Sequence, residues 1–433
     1  MRISLPKTGI AKAVRRFPSE LGRRLSGYRF YAYLALIGPG IVAASSGNEV
    51  SGIATYSIAG SEYGYTLLWS FIPMTIFFCV AQEMCVRMGV VTGQGLSDLI
   101  REQFGVRWTT VVMLALLAAN SGIIVAQFIG IAQASEIFGI SRYYTVPLAA
   151  LFVWWLVVKG SARRIETVFL LMSLVFFLYV ISAFMAGPDW SNIGKQVVSP
   201  SFSFESGYLF TVVALIGTTI TPFMQVYVQS SVVEKGLDED DLKTARLDAI
   251  LGVFFANTIA AFIMISAAAT LFPAGIVPDD ASQAALALAP VLGEYATVIF
   301  AIGIFGAAML AMGVLPLATA YSLSEALGFE KGISRSFRDA PIFLGIFSAL
   351  LIMGAVVALI PNIPQFKLLL LTQCVNGLLL PILLIAMITL ANKKEIMGEH
   401  RNRLPHNILA VGTGIIVSTL SLLLIGKTII DIF

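Results

Sequence analysis

The residue most able to do chemistry in this chain is Glu49, set in SSGNEVSG at 45–52 inside a long apolar run. A second apolar run is interrupted by GTTITP at 217–222, and a third carries Gln373 and Asn376 in LTQCVNG at 371–377. An acid held at mid-bilayer costs roughly 2.5–3.5 kcal/mol on insertion scales, so it is retained for an opposite charge or it stays protonated. Apart from Glu49, no Lys, Arg, Asp or His lies in the central turns of the spans that would face it, which makes a mobile cation its natural partner. The other donors on offer are all oxygens: the carbonyl of Ser46, the side chain of Asn48, the hydroxyls and carbonyls of Thr218, Thr219 and Thr221, and the amides of Gln373 and Asn376. A hard ion suits that set, Mg²⁺ first with Mn²⁺ and Ca²⁺ as alternatives, whereas iron, cobalt or cadmium gain from sulfur or imidazole. Mg²⁺ gives up water reluctantly, and the small residues Ser51, Gly52 and Thr221 leave room for a partly hydrated ion.

Something must hold these groups inside a membrane. The 433 residues are 58% hydrophobic and only 12% charged, with a mean hydropathy of +0.87, a balance that excludes a soluble domain. Apolar runs long enough to span a bilayer fall near 33–60, 66–90, 109–136, 145–159, 166–187, 208–232, 247–273, 294–322, 342–361, 367–391 and 407–430, which predicts an all-α polytopic protein of about eleven transmembrane helices. The run at 145–159 is short, but Trp154, Trp155 and Lys159 anchor its end. Gly, Ser, Asn, Thr and Pro weaken a helix, so GPG at 38–40 with SSGNEVSG breaks span one near its middle, and GTTITP breaks span six. Matched breaks divide the chain into two five-helix halves of inverted topology, 31–187 and 208–391. A basic arm (1–30) precedes them, an extracellular linker (188–207) joins them, and a cytoplasmic loop with the eleventh helix (392–433) follows. Paired interrupted helices of this kind point to the central substrate site of a transporter, because unwound backbone must be buried in protein or line a water-filled cavity.

Lys and Arg favour the cytoplasmic side. With the N-terminus inside, 24 of them fall on inner segments (among them Arg87, Arg101, Lys159, Lys235, Arg246, Lys331, Lys393 and Arg401) and four outside, Arg142, Lys195, Lys367 and Lys427. The C-terminus is then extracytoplasmic. The basic start, from Arg2 to Arg29 with Glu20 as its one acid, reads as an arm held against anionic lipid rather than a cleaved signal. Cys79, Cys85 and Cys374 lie in apolar segments without zinc spacing and read as small hydrophobes. His400 and His406 lie in a polar stretch, so no imidazole titrates in the membrane core. Glu83 is placed to pair with Arg87 at i+4, Glu136 to sit at the interface, and Gln225 and Gln229 to face either the permeation path or a neighbouring helix. No nucleophile and base pair is present, which excludes an intramembrane enzyme, and no loop is long enough for a sensor domain. Neither a resident cofactor, a nucleic acid nor an obligate protein partner is expected; the partners are a divalent ion and the lipid bilayer of a plasma or inner membrane. A same-fold transporter of an organic cation, with Glu49 on its ammonium group, is the rival that the nearby Tyr56 and Phe223 would serve.

LIGPGIVAASSGNEVSGIATYSIAGSEYGYTLLW at 36–69 resembles the first helix and following loop of the Nramp family of divalent metal transporters, whose signature there is DPGN. VRMGVVTGQGL at 86–96 is similar to the segment after the family's second helix, IGTTITPFMQVYVQSSVVEKG to its sixth helix with the AxxMPH motif, and LTQCVNGLLLP to its tenth. The resemblance implies an inverted-repeat fold of the LeuT/APC type, with Glu49 in place of the family's metal-binding Asp, Gly52 of its ligand Asn, Thr221 of its ligand Met and Phe223 of its His. Thr218 and Ser46 take the places of carbonyl donors, and Gln373 that of the tenth-helix Gln. The pattern is most similar to the divergent Nramp-related magnesium transporters. Ile124 and Gln127 stand where manganese and iron importers carry acids in the third helix, and the ninth span lacks their arginines. The resemblance thus implies Mg²⁺ transport, with Mn²⁺ also accepted, by alternating access without proton coupling, the alternative being a proton-coupled importer of Mn²⁺ or another transition metal.

Overall fold

A computed structural model describes residues 43–44, 46–159, 177–279, 281–286, 293, 296–333, 335–360 and 365–432. The basic arm at 1–30, the GPG at 38–40, Arg163, Arg164 and most of the fifth span lie outside the described residues. Those described are helical with short connections. The main helices are α1 (Val50–Tyr63), α2 (Phe71–Thr92), α3 (Leu96–Phe104), α4 (Val106–Ile137), α5 (Arg142–Lys159), α6 (Phe177–Met185), α7 (Trp190–Val198), α8 (Ser206–Thr219), α9 (Pro222–Glu234), α10 (Leu242–Ala274), α11 (Ala296–Leu327), α12 (Pro341–Ala358), α13 (Gln365–Asn392) and α14 (Leu404–Ile432). Among the described residues eight segments are long and apolar enough to cross a membrane. The short run with Trp154 and Trp155 is the 18-residue helix α5.

Both expected breaks are present. A 3₁₀ turn, Ser46–Asn48, ends at Glu49, whose backbone is extended (φ −74°, ψ 179°), and α1 starts at the next residue. The second break lies between α8 and α9, where Ile220 leaves the helical region (φ −119°, ψ 55°) and Pro222 opens the new helix. Pro lacks the amide hydrogen that a continuing helix needs, yet fits a first turn, where that hydrogen has no partner. The helix partnerships respect the two halves. α1 packs along α10 and α9 along α2, so exchanging the halves maps one pair onto the other, while the equivalent helices α4 and α11 pack on each other at the centre.

The two ends of the bundle differ in chemistry. At one end Glu83 accepts from Arg87 Nε at 2.9 Å and forms an ion pair with Arg246, whose Nε lies 2.8 Å away, so the expected i+4 pair exists and takes a second arginine. There too Arg87 reaches Asn402 Oδ1 at 2.5 Å, Lys393 donates to Gln103 at 2.7 Å, and Lys331 bridges Asp98 and Glu325. The opposite end is aromatic: Trp69 and Tyr208 both donate to the Ser201 carbonyl, at 3.1 and 2.6 Å, and Tyr63 meets Tyr208 edge-on at 5.6 Å. Beside them opens a cavity of about 360 Å³ lined by Tyr63, Tyr65, Asp189, Asn192 and Phe272. Glu136 pairs with Arg142 at 2.5 Å and stays partly exposed, as an interfacial charge does.

Candidate functional site

Glu49 is the cap of α1, and this sets its chemistry. Its extended backbone turns the carboxylate back over the first turn, where it accepts from the amides of Ser51 at 2.8 Å and Gly52 at 3.2 Å. Those amides have no partner inside the helix and carry the positive end of its dipole, so a carboxylate is favoured there. The Ser51 hydroxyl donates at 2.6 Å. Two more donors come from other helices: Gln373 of α13, whose Nε2 lies 2.5 Å from Oε1, and Gln127 of α4, whose Nε2 donates to Oε2. Glu49 is 1% exposed. The carboxyl group therefore has five neutral donors and, among the described residues, no ion-pair partner. The sequence alone left two ways to tolerate this burial, an opposite charge or a retained proton; the donors add a third contribution, since they supply much of what water would.

Packing explains how α13 comes so near. Gly217 of α8 lies against the Gln373 carbonyl and the Gly377 amide, and a side chain there would overlap both. This close approach of α8 and α13 aims Gln373 at the break in span one, where its Nε2 also reaches Ser51 Oγ at 3.0 Å. Gln127 is held from both sides, donating to Ile123 O at 3.0 Å and accepting from the Val50 amide at 3.2 Å.

The second break faces the first. Thr218 Oγ1 points at the Gly47 carbonyl, 3.4 Å away, and Thr221 Oγ1 turns back to the carbonyls of Gly217 and Thr218 at 2.8 and 3.0 Å. The end of α8 therefore brings carbonyl oxygens, the negative pole of a half-helix, toward the carboxylate that caps α1, an arrangement suited to a cation. At Gly52 a side chain would overlap the Gly47 carbonyl and lie 2.9 Å from Thr218 Oγ1, so a larger residue has no room. Not every candidate faces the carboxylate. Asn48 sends its amide to Ala256 O of α10 at 3.0 Å, Thr219 meets the Tyr56 hydroxyl at 3.3 Å, and Ser46 Oγ donates to Ala43 O at 2.5 Å. Asn376 lies beside Gln373 at 3.5 Å with its Oδ1 buried and unpartnered. Two residues outside the candidate set belong to the surroundings. Gln127 is one. Met224 is the other: its methyl group lies 2.5 Å from where a Cβ on Gly47 would stand, and its sulfur 3.6 Å. Its place three residues after Thr221 on the first turn of α9 was the available signal. Among the described residues no three of His, Cys, Asp and Glu form a group that could hold a metal ion, and Glu49 is the carboxylate that the two breaks share.

A family model described as natural resistance-associated macrophage protein-like matches residues 40–427. The chain belongs to the Nramp family. It is 26% identical over 406 residues to the divalent metal cation transporter MntH of Chromohalobacter salexigens, covering 89% of each chain. To the protein of the same name from Caldanaerobacter subterraneus it is 24% identical over 416 residues, covering 93% of this chain and 95% of the relative. The fold matches a crystal structure of the Eremococcus coleocola manganese transporter with a TM-score of 0.74 at 18% identity, covering 91% of this chain and 86% of that one. A nucleobase-cation-symport-1 family transporter in a closed conformation matches at 0.55 and 14% identity, covering 90% and 92%. This Nramp-family chain thus has the LeuT-like, all-α fold of a multi-pass membrane transporter and is not an enzyme.

Proposed function

We propose that this Nramp-family protein moves divalent metal ions across a plasma or inner membrane by alternating access, with Mg²⁺ as its main cargo and Mn²⁺ also accepted, and without proton coupling. The observation that carries the reading is the donor set at the two breaks: one carboxylate, backbone carbonyls, hydroxyls and the amides of Gln127 and Gln373. Hard oxygens with a single charge suit an ion that keeps part of its water. Glu49 would supply the charge, the carbonyls near Gly47 and Thr218 the polar frame, and Gln373 and Asn376 amide oxygens once their side chains rotate, since an amide that donates to an ion-free carboxylate can offer its oxygen to a cation. Proton coupling needs a second group that takes up the proton, and among the described residues the groups that hydrogen-bond to Glu49 are amides and a serine hydroxyl, which do not titrate near neutral pH. The gathering of cationic loops at one end of the bundle supports an orientation with the N-terminus in the cytoplasm and the C-terminus outside.

A second reading, a proton-coupled Mn²⁺ importer, draws on the divalent-metal and manganese transporters among the relatives and on the Met224 thioether against Gly47, since sulfur favours transition metals. One experiment separates the two. Proteoliposomes loaded with metal-sensitive dye receive Mg²⁺, Mn²⁺ or Ca²⁺ while lumenal pH is recorded. The main reading expects Mg²⁺ entry without acidification. Acidification that tracks metal entry establishes the second, and no entry of any ion refutes both.

A further inference from the structure

Three glutamines on the face shared by α2 and α9 hold amide atoms that the fold leaves unsatisfied. Gln82 and Gln225 are fully buried, and neither amide atom of either has a hydrogen-bond partner; Gln229 donates its Nε2 to the Gln94 carbonyl at 3.0 Å and leaves its Oε1 unpartnered. A buried polar atom without a partner costs about 1–3 kcal/mol, and such atoms need a reason. Helix packing is not that reason here, because Leu at these positions would fill the same space without the penalty.

Their places form a line. The main chain of Gln229 packs on Gly89 of α2, its carbonyl 3.1 Å from where a Cβ on Gly89 would stand. Higher on α2, Thr75 accepts from Asn257 of α10 at 2.8 Å, next to Ala256, whose carbonyl receives Asn48 from the first break. Gln82 is seven residues from both Thr75 and Gly89, so the three share one helix face at intervals of about 10 Å. Gln225 precedes Gln229 by one turn. The amides thus descend from the break that holds Glu49 to the charged end of the bundle, where Gln229 meets Gln94.

We infer that Gln82, Gln225 and Gln229 form a second station for a hydrated divalent cation, on the route between Glu49 and the charged end of the molecule. The inference rests on the transport reading above. Neutral amides offer both a donor and an acceptor to the water around an ion, and without a formal charge they hold it weakly enough to release it, as passage through successive sites requires. The station's ligand is the ion with its water shell; dehydration belongs to Glu49.

The test uses the full-length protein with Mg²⁺ and Mn²⁺ as probes, measuring binding by calorimetry and uptake in proteoliposomes. Gln82→Leu and Gln225→Leu are expected to leave affinity at Glu49 within about two-fold of wild type and to slow uptake about ten-fold, because an apolar side chain dries the route. Gln225→Glu is expected to keep binding at Glu49 and to add a second, weaker binding event. Leu variants that transport at the wild-type rate overturn the inference and leave the transport reading intact. Should the Leu variants fail to fold, Gln225→Glu decides: a second event supports the station, and a single event overturns it. A wild type that neither binds nor moves either ion refutes the transport reading instead.

Discussion

Glu49 is surrounded by hydrogen-bond donors on neutral groups and, among the described residues, has no salt bridge, and this shapes what substitutions there will do. Gln at position 49 keeps the size but removes the charge, and its amide nitrogen would face the donors of Gln127 or Gln373. Glu49→Gln is expected to weaken divalent-ion binding at least ten-fold, about 1.4 kcal/mol or more, while the protein still folds; calorimetry against wild type reads this, and unchanged affinity would remove Glu49 from the site. Gln127 tests the link to protons. Gln127→Glu would set a second carboxylate at hydrogen-bond distance from the first, and two carboxylates so close hold one proton between them. A metal ion entering such a pair expels that proton. Binding in the variant is therefore expected to tighten as pH rises from 6 to 8, roughly ten-fold per unit at the steepest point, more steeply than in the wild type. Equal slopes in the two proteins contradict the claim that Gln127 stands against Glu49.

Among elements, the contact of α3 with α9 and α11 carries the clearest prediction. Glu325 of α11 is buried and accepts from the Ser97 amide in the first turn of α3 at 3.1 Å, from Ser230 Oγ of α9 at 2.8 Å and from Lys331 Nζ at 3.0 Å. One carboxylate therefore ties helices of both halves together at the charged end. Glu325→Ala leaves a serine hydroxyl and a helix-end amide without their acceptor and is expected to cost about 2–4 kcal/mol, read as a lower thermal midpoint in detergent; an unchanged midpoint would show that the tie bears no load. The breaks in spans one and six were legible in the sequence because Gly, Thr and Pro disfavour helix whatever surrounds them, and Glu49 because its burial is costly in any setting. Glu325 and Gln127 were less so. Ser97 and Glu325 are 228 residues apart, Glu49 and Gln127 78, and what makes each matter is a neighbour brought by packing. The direction of Asn48 was hidden for the same reason, since it depends on a carbonyl of α10.

For the molecule as a whole, the separation of a cationic end from an aromatic end supports a fixed orientation and an electrical consequence. Single cysteines at Asn192, beside the aromatic end, and at Lys243, beside the cationic end, in a background without Cys79, Cys85 and Cys374, are expected to react from outside and only after permeabilisation, respectively; the reverse pattern would invert the proposed topology. The electrical prediction follows from charge balance. If no proton accompanies the ion, each transport cycle carries two positive charges across the membrane, and a potential of 100 mV acts on them with about 4.6 kcal/mol. That energy sustains an ion gradient of roughly 10³-fold at equilibrium. Proteoliposomes holding an inside-negative potassium diffusion potential should therefore accumulate Mg²⁺ against its gradient, and collapsing the potential should release it, at the same rate with or without a proton ionophore. Were accumulation to need a pH gradient and ignore voltage, the amides around Glu49 would not be the whole of the coupling machinery, and a titrating partner would have to be sought elsewhere in the bundle.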